Sequence, residues 1–245
     1  MRVYVGFDDT DTIDADRGTG KLARWFEQQL PEGCRMWGVV RQQLLVDPAI
    51  PYTSHNSAAC AVIEIPDPSL VQTLIDRGIQ HIEKHFIPGS DPGLCIAAEG
   101  NGTLSHLIAF GKVCATSIVS QKTALQAATG VHLSGHGGTN DGIIGAAAGV
   151  GLTASGWSGR FIEFKGLRDF PGMVRVAELE RAGMVVVSVD RDAPVPGPED
   201  RVDTKGWLRP RLWGGHPTLP VLAAGKNLWH MVGADKRNGK NKQEG

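Results

Sequence analysis

Three carboxylates fall within four residues, Asp8-Asp9-Thr10-Asp11, immediately after the apolar run Val3-Tyr4-Val5-Gly6-Phe7. Crowded acids repel one another, so a fold that gathers them at one strand end loses stability unless a cation sits among them. Hard divalent ions such as Mg2+ take oxygen ligands and commonly share them with substrate phosphates. A few residues on, Gly18-Thr19-Gly20-Lys21 opens an amphipathic helix. A glycine turn at a helix start leaves backbone N–H groups free for an anion. Acids on one side and a glycine turn on the other predict a magnesium–nucleotide site. In it Asp8, Asp9 and Asp11 serve as metal ligands, Thr10 shares their loop, and Gly18, Thr19 and Gly20 cradle phosphate. Lys21 either neutralises phosphate or is plain surface. The competing reading is that Asp-rich turns end strands and cap helices without further purpose. The spacing is not that of a Walker A loop: Ala15 stands where its first glycine belongs, and Leu22 follows Lys21.

A second glycine-rich stretch, Ser134-Gly135-His136-Gly137-Gly138-Thr139-Asn140-Asp141-Gly142, precedes the small-residue run Ile143 to Val150. A helix of Gly and Ala permits close backbone approach to a sheet or a ligand, so this is a second candidate anion or substrate loop. His136 is a candidate donor to substrate or phosphate. Asp141 is a candidate amine ligand, although capping the following helix accounts for it equally well. His132 and His136 lie four apart, but without a nearby Cys or a carboxylate at ligand spacing they make a poor zinc pair.

The elements that must position these groups follow from periodicity. Val3, Val5 and Phe7 alternate as a half-buried strand. Leu22, Trp25, Phe26 and Leu30 give the first helix an apolar stripe, stopped by Pro31 and Gly33. Strands are predicted over 36–46, 58–65 and 94–98. A helix carrying Leu70, Val71, Leu74, Ile75, Ile79, Ile82 and Phe86 follows Asp67-Pro68. Helices are predicted at 103–114, 120–129 and 143–150, then a strand at 160–164, a helix at 173–182 and a strand at 184–190. From Ala193 onward Pro and Gly dominate, with Trp207, Trp213 and Trp229 as packing anchors rather than a base platform. The fold class expected is α/β (α+β), with at least some antiparallel neighbours.

Bulk properties exclude several classes. The chain has 245 residues, net charge −1 and fifteen aromatic residues, so neither a global basic field nor an extended stacking surface draws in nucleic acid. Cys34, Cys60, Cys95 and Cys114 are scattered, which argues against a zinc ribbon and for reduced thiols in a cytoplasmic protein. No apolar run approaches membrane-spanning length.

The opening Gly6-Phe7-Asp8-Asp9-Thr10-Asp11 with Gly18-Thr19 resembles the N-terminal kinase-like domain of the tRNA-isoleucine agmatinylcytidine synthetases. Three further blocks resemble that family in the same order. They are Ile50-Pro51-Tyr52 with Asn56 and Ala58-Ala59, then Asp91-Pro92-Gly93, then Gly142-Ile143-Ile144-Gly145-Ala146. The resemblance implies a kinase-like mixed-sheet domain over 1–110 and a ferredoxin-like substrate domain over 111–192. An irregular C-terminal wrap over 193–235 and a disordered tail over 236–245 would complete the chain. It implies ATP and Mg2+ as cofactors, and activation of an acceptor oxygen by phosphoryl transfer for attack by an amine. Thr19 would itself be able to receive phosphate. Tyr52, Asn56, His136, Asn140, Asp141 and Gly142 would face the amine or a nucleoside-like second substrate.

The sequence departs from the family in ways that weaken tRNA as the partner. The Pro-Tyr loop usually carries Lys and Arg but here continues Thr53-Ser54-His55. The family's Cys-Thr-Thr run is Gly18-Thr19-Gly20, Asp141 stands where Arg is usual, and neither the OB-fold nor the zinc ribbon is found. A non-catalytic nucleotide sensor and the catalytic subunit of a tRNA-modifying complex are the alternative readings.

Overall fold

A computed structural model describes residues 1–50, 56–100, 102–192 and 194–233. Tyr52 and the segment 236–245 lie outside the described residues. The chain forms two compact units, Met1–Phe164 and Lys165–Gly245.

The first unit opens with β1 (Arg2–Asp8) and α1 (Thr19–Trp25), the latter extended by a 3-10 turn over Phe26–Gln29. There follow β2 (Arg35–Gln43), β3 (Ser57–Glu64), α2 (Leu70–His85) and β4 (Gly93–Ala98). The unit is completed by α3 (Thr103–Cys114), α4 (Gln121–Ala127), β5 (His132–Gly135), α5 (Gly142–Ala154) and β6 (Arg160–Glu163). The strands run in the order β5-β4-β1-β3-β2-β6, with every neighbouring pair antiparallel.

Alternation along β1 divides the core in two. Val3, Val5 and Phe7 point to the face covered by α1 and α2, where Leu22, Phe26, Leu74 and Ile82 pack against them. Tyr4 points to the opposite face with Cys60, Cys95, Leu107, Phe110, Ala146 and Val150, beneath α3 and α5. Helix α5 approaches the sheet at backbone distance. A Cβ on Gly6 would lie 2.4 Å from the Ala146 carbonyl oxygen, and one on Gly93 would lie 2.1 Å from the Gly142 carbonyl. On its other side α5 meets α3, where a Cβ on Gly151 would stand 1.8 Å from the Leu107 carbonyl oxygen. These contacts explain why the boundary falls after Phe164 rather than at 110/111. The 111–164 segment supplies the helix that seals one face of the first sheet, so it cannot separate as its own domain. The stretch 111–192 is accordingly divided between the two units.

The second unit contains β7 (Met173–Arg175), α6 (Val176–Arg181), β8 (Val185–Ser188) and β9 (Arg201–Asp203). It continues with β10 (Arg211–Trp213), β11 (His216–Gly225) and β12 (Leu228–Met231). β11 pairs antiparallel with β10 and β12 and parallel with β8, while β9 is parallel to β12 and antiparallel to β7. The Pro- and Gly-rich wrap is therefore a real mixed sheet. Trp229 is buried, and its indole Nε1–H donates to Asp200 Oδ2 at 2.9 Å. The helix expected over 173–182 starts only at Val176, because Met173–Arg175 pairs with β9.

Candidate functional site

The β1 strand delivers Asp8 and Asp9 to the floor of a cavity of about 370 Å³. Asp91, Asp141, Gly142 and Gly145 close its acidic side. Leu44, Ile50, Ile118, Val119 and Ile144 supply an apolar side, with Asn56, Ser117, Ser120 and Gln121 as polar groups at the margin. Asp8 can reach this position only because residue 145 has no side chain: a Cβ there would sit 1.7 Å from Asp8 Oδ2. Asp9 adopts φ 48°, a left-handed conformation uncommon outside glycine. Such strain persists where the surroundings enforce it, and functional sites are where it collects.

The loop across from them is built on Asp91. Its carboxylate accepts from the Thr139 N–H at 2.8 Å and from the Thr139 hydroxyl, and its carbonyl accepts from Gly142 N–H at 3.1 Å. A Cβ on Gly138 would collide with Asp91 Oδ1 at 1.3 Å, so the glycine there makes room for the carboxylate. Asp141 makes no side-chain cap on α5 and instead accepts from Gln121 Nε2 at 2.6 Å. The capping reading of Asp141 therefore does not hold.

Electrostatics reflect the crowding. Burial, followed by the charge of Asp9, pushes Asp8 up to about 8. Burial, followed by the charge of Asp91, pushes Asp9 up to about 6. Oxygen donors raised in this way suit a hard divalent cation, whose charge would remove the penalty of ionising them together. Among the described residues no three His, Cys, Asp or Glu side chains converge as a self-contained metal cage. Mg2+ does not require one when phosphate oxygens complete its shell.

The other sequence-derived candidates divide between the cavity and its surroundings. Asp11 faces α1 instead of lining the cavity: its Oδ1 accepts from the Thr19 N–H at 3.2 Å and from the Thr19 hydroxyl at 3.0 Å. Thr10 donates to the same hydroxyl from its N–H at 3.3 Å and its Oγ1 at 3.1 Å. The two loops do meet, as the acid–glycine pattern requires. Thr19, however, is buried with its hydroxyl committed, and Gly18 and Gly20 are absent from the cavity wall. The Lys21 ammonium lies 5.1 Å from the Trp25 ring centroid. Asn140, at φ 67°, packs its side chain against Gly135.

His136 is outside the cavity too. Ser134 belongs to β5, and its Oγ lies 2.8 Å from the Nε2 atoms of both His132 and His136, while His136 Nδ1 lies 3.3 Å from Glu83 Oε1. The sequence reading missed the 117–121 segment, which has no motif. It met Asp91 only through the Asp-Pro-Gly block.

No protein-family model matches the chain, and no curated protein sequence does. Solved structures do match. The chain resembles TiaS. An apo structure of TiaS, an isoleucine-tRNA agmatidine synthetase, aligns at 26% identity and TM-score 0.50 over 62% of this chain and 35% of that one. TiaS in complex with its isoleucine tRNA and ATP aligns at 27% identity and TM-score 0.53 over 62% of this chain and 36% of that one. A tRNA fluorescent labeling enzyme aligns at 28% identity and TM-score 0.53, again over 62% and 36%. The chain thus spans about a third of the length of these three proteins. The mixed α/β class expected from the sequence is the class observed, and no helix among the described residues is long and apolar enough to cross a membrane.

Proposed function

We propose that this protein is an ATP- and Mg2+-dependent enzyme that activates an acceptor oxygen by phosphoryl transfer and presents it to an amine. The observation that carries the proposal is the gathering of Asp8, Asp9, Asp91 and Asp141 around one cavity. That cavity lies in a fold resembling TiaS, a relative whose solved complex contains tRNA and ATP. Asp8 and Asp9 are the residues that would hold the metal, and the metal would neutralise the phosphate charge as it redistributes. Phosphoryl transfer asks little covalent chemistry of the protein and relies on positioning and charge. Asp91, fixed by Thr139, and Asp141, fixed by Gln121, form a preset acidic wall suited to a protonated amine. Ile118, Val119 and Ile144 offer the apolar side that a planar base or an alkyl chain needs.

Thr19 enters as a strut: it pins the acidic loop to α1, and Asp11 acts through it. A tRNA acceptor fits the same reading, since the matched relatives are tRNA enzymes. The test is ATP turnover measured with tRNA transcripts and with agmatine or related diamines. Turnover that needs both an acceptor and an amine supports the proposal. ATP binding without any acceptor-dependent turnover would identify a nucleotide sensor instead.

A further inference from the structure

The acids at the end of β1 account for a metal and an amine, but they leave the phosphates without a cation of the protein's own. Lys21 lies over Trp25, and Arg17 is bonded to Asp16 and to the His85 carbonyl. Arg41 differs from both. It occupies the sheet end that carries Asp8, since Ala59 pairs with Arg41 on one side and with Phe7 on the other. Its place in the alternation puts it on the α1 face together with Val39, Ala59 and Phe7. Gln42, the next residue, points to the α5 face and donates to Thr153 at 3.0 Å.

Arg41 Nε donates to Ser57 Oγ at 2.8 Å, which fixes the plane of the guanidinium. Among the described residues its two terminal nitrogens have no hydrogen-bond or ion-pair partner, and the side chain is exposed. Burial lowers the pKa of Arg41 and the charge of Asp11 partly offsets that, although the two form no ion pair. An arginine anchored by Nε and open at both Nη atoms is preorganised for bidentate contact with phosphate oxygens. Asp11 is engaged by Thr19 rather than by Arg41, so the guanidinium is left open to an anion.

We propose that Arg41, aimed by Ser57 at the end of the sheet that carries Asp8, is a phosphate-binding residue of the site that grips the distal phosphates of a nucleoside triphosphate. The inference rests on the proposed nucleotide function and extends it. The triphosphate passes over the end of the sheet from the cavity to the α1 face, where β2 supplies a cation for its phosphates.

The test is calorimetric titration of the full chain with ATP, ADP, AMP and adenosine in Mg2+, comparing wild type with Arg41→Gln and Arg41→Lys. Loss of charge-assisted hydrogen bonds to phosphate should lower ATP affinity about 10- to 100-fold in Arg41→Gln. Adenosine affinity should be unchanged, and Arg41→Lys should fall between. Thermal melts serve as the folding control. If wild type binds ATP and Arg41→Gln retains the same ATP-to-adenosine affinity ratio, Arg41 has no phosphate role while the nucleotide site stands. Wild type failing to bind ATP would remove both the nucleotide function and the role of Arg41.

Discussion

Replacing Gly145 with alanine sets two known effects against each other, and the structure says which wins. Within a helix, Gly→Ala ordinarily stabilises by about 1 kcal/mol. At this position the new methyl would stand 1.7 Å from Asp8 Oδ2 and 2.4 Å from its Cγ. Relieving such overpacking typically costs about 1–3 kcal/mol. Gly145→Ala should therefore destabilise by about 1 kcal/mol, despite improving helix propensity. In an Asp8→Ala background the carboxylate is gone and only the Cβ contact at 3.0 Å remains. There the same substitution should be neutral or stabilising. Urea denaturation of the four proteins at one pH and ionic strength reads the coupling, expected at about 1–3 kcal/mol. Gly145→Ala alone should also weaken Mg2+-ATP binding at least about tenfold, equivalent to about 1.4 kcal/mol, because the displaced carboxylate is a proposed metal ligand. An equal effect of Gly145→Ala in both backgrounds would refute the placement of Asp8 against α5.

Three further outcomes are expected. His81 is buried, with its Nε2 2.9 Å from the Leu22 carbonyl oxygen, and burial lowers its pKa to about 4. Since the folded value lies below the unfolded one, neutral His81 contributes stability in full above about pH 6.5. That contribution, about 3 kcal/mol, is lost as the pH falls towards about 4, and His81→Gln should flatten the stability profile over this window in denaturant titrations. Gly151→Ala forces a methyl to within 1.8 Å of the Leu107 backbone carbonyl oxygen, so a melting temperature at or above wild type would contradict the α3–α5 packing. Thr19→Val removes the hydroxyl shared by Asp11 and Thr10. It should destabilise by about 1–3 kcal/mol and reduce turnover by loosening the loop, whereas Thr19→Ser should restore both in stability and activity assays.

The elements dictated by local periodicity were legible in the sequence. The stripe from Leu70 to Ile82 forms α2, and the Val3-Val5-Phe7 alternation forms β1 with the faces it implies. The Gly-Ala run after residue 142 makes the close backbone approach its composition suggested, and it makes it to the sheet. What local pattern could not carry was long-range. Nothing near residue 111 shows that α5 will lie across β1 and β4, so the domain boundary was displaced. The strand Met173–Arg175 reads as helix because its partner Arg201–Asp203 lies far along the chain.

At the site, the acidic run located the end of β1, yet it could not reveal that Asp11 turns to α1 while Asp8 and Asp9 turn to the cavity. That division follows from strand alternation and from the left-handed turn at Asp9. His136 was drawn in by its glycine neighbours but faces Glu83 and Ser134. Arg41 was visible only as a polar interruption of a strand. Its anchoring by Ser57 needs the β2–β3 register.

The central claim is that the acids at the end of β1 bind a metal–triphosphate. Its most direct test is a crystal of the full chain soaked with a non-hydrolysable ATP analogue and Mn2+ as an anomalous stand-in for Mg2+. The account predicts an anomalous peak at inner-sphere distance, roughly 2.1 Å, from carboxylate oxygens of Asp8 or Asp9, with the nucleotide entering the cavity walled by Asp91 and Asp141. Well-occupied nucleotide bound elsewhere on the chain, with no metal at either aspartate, would contradict it.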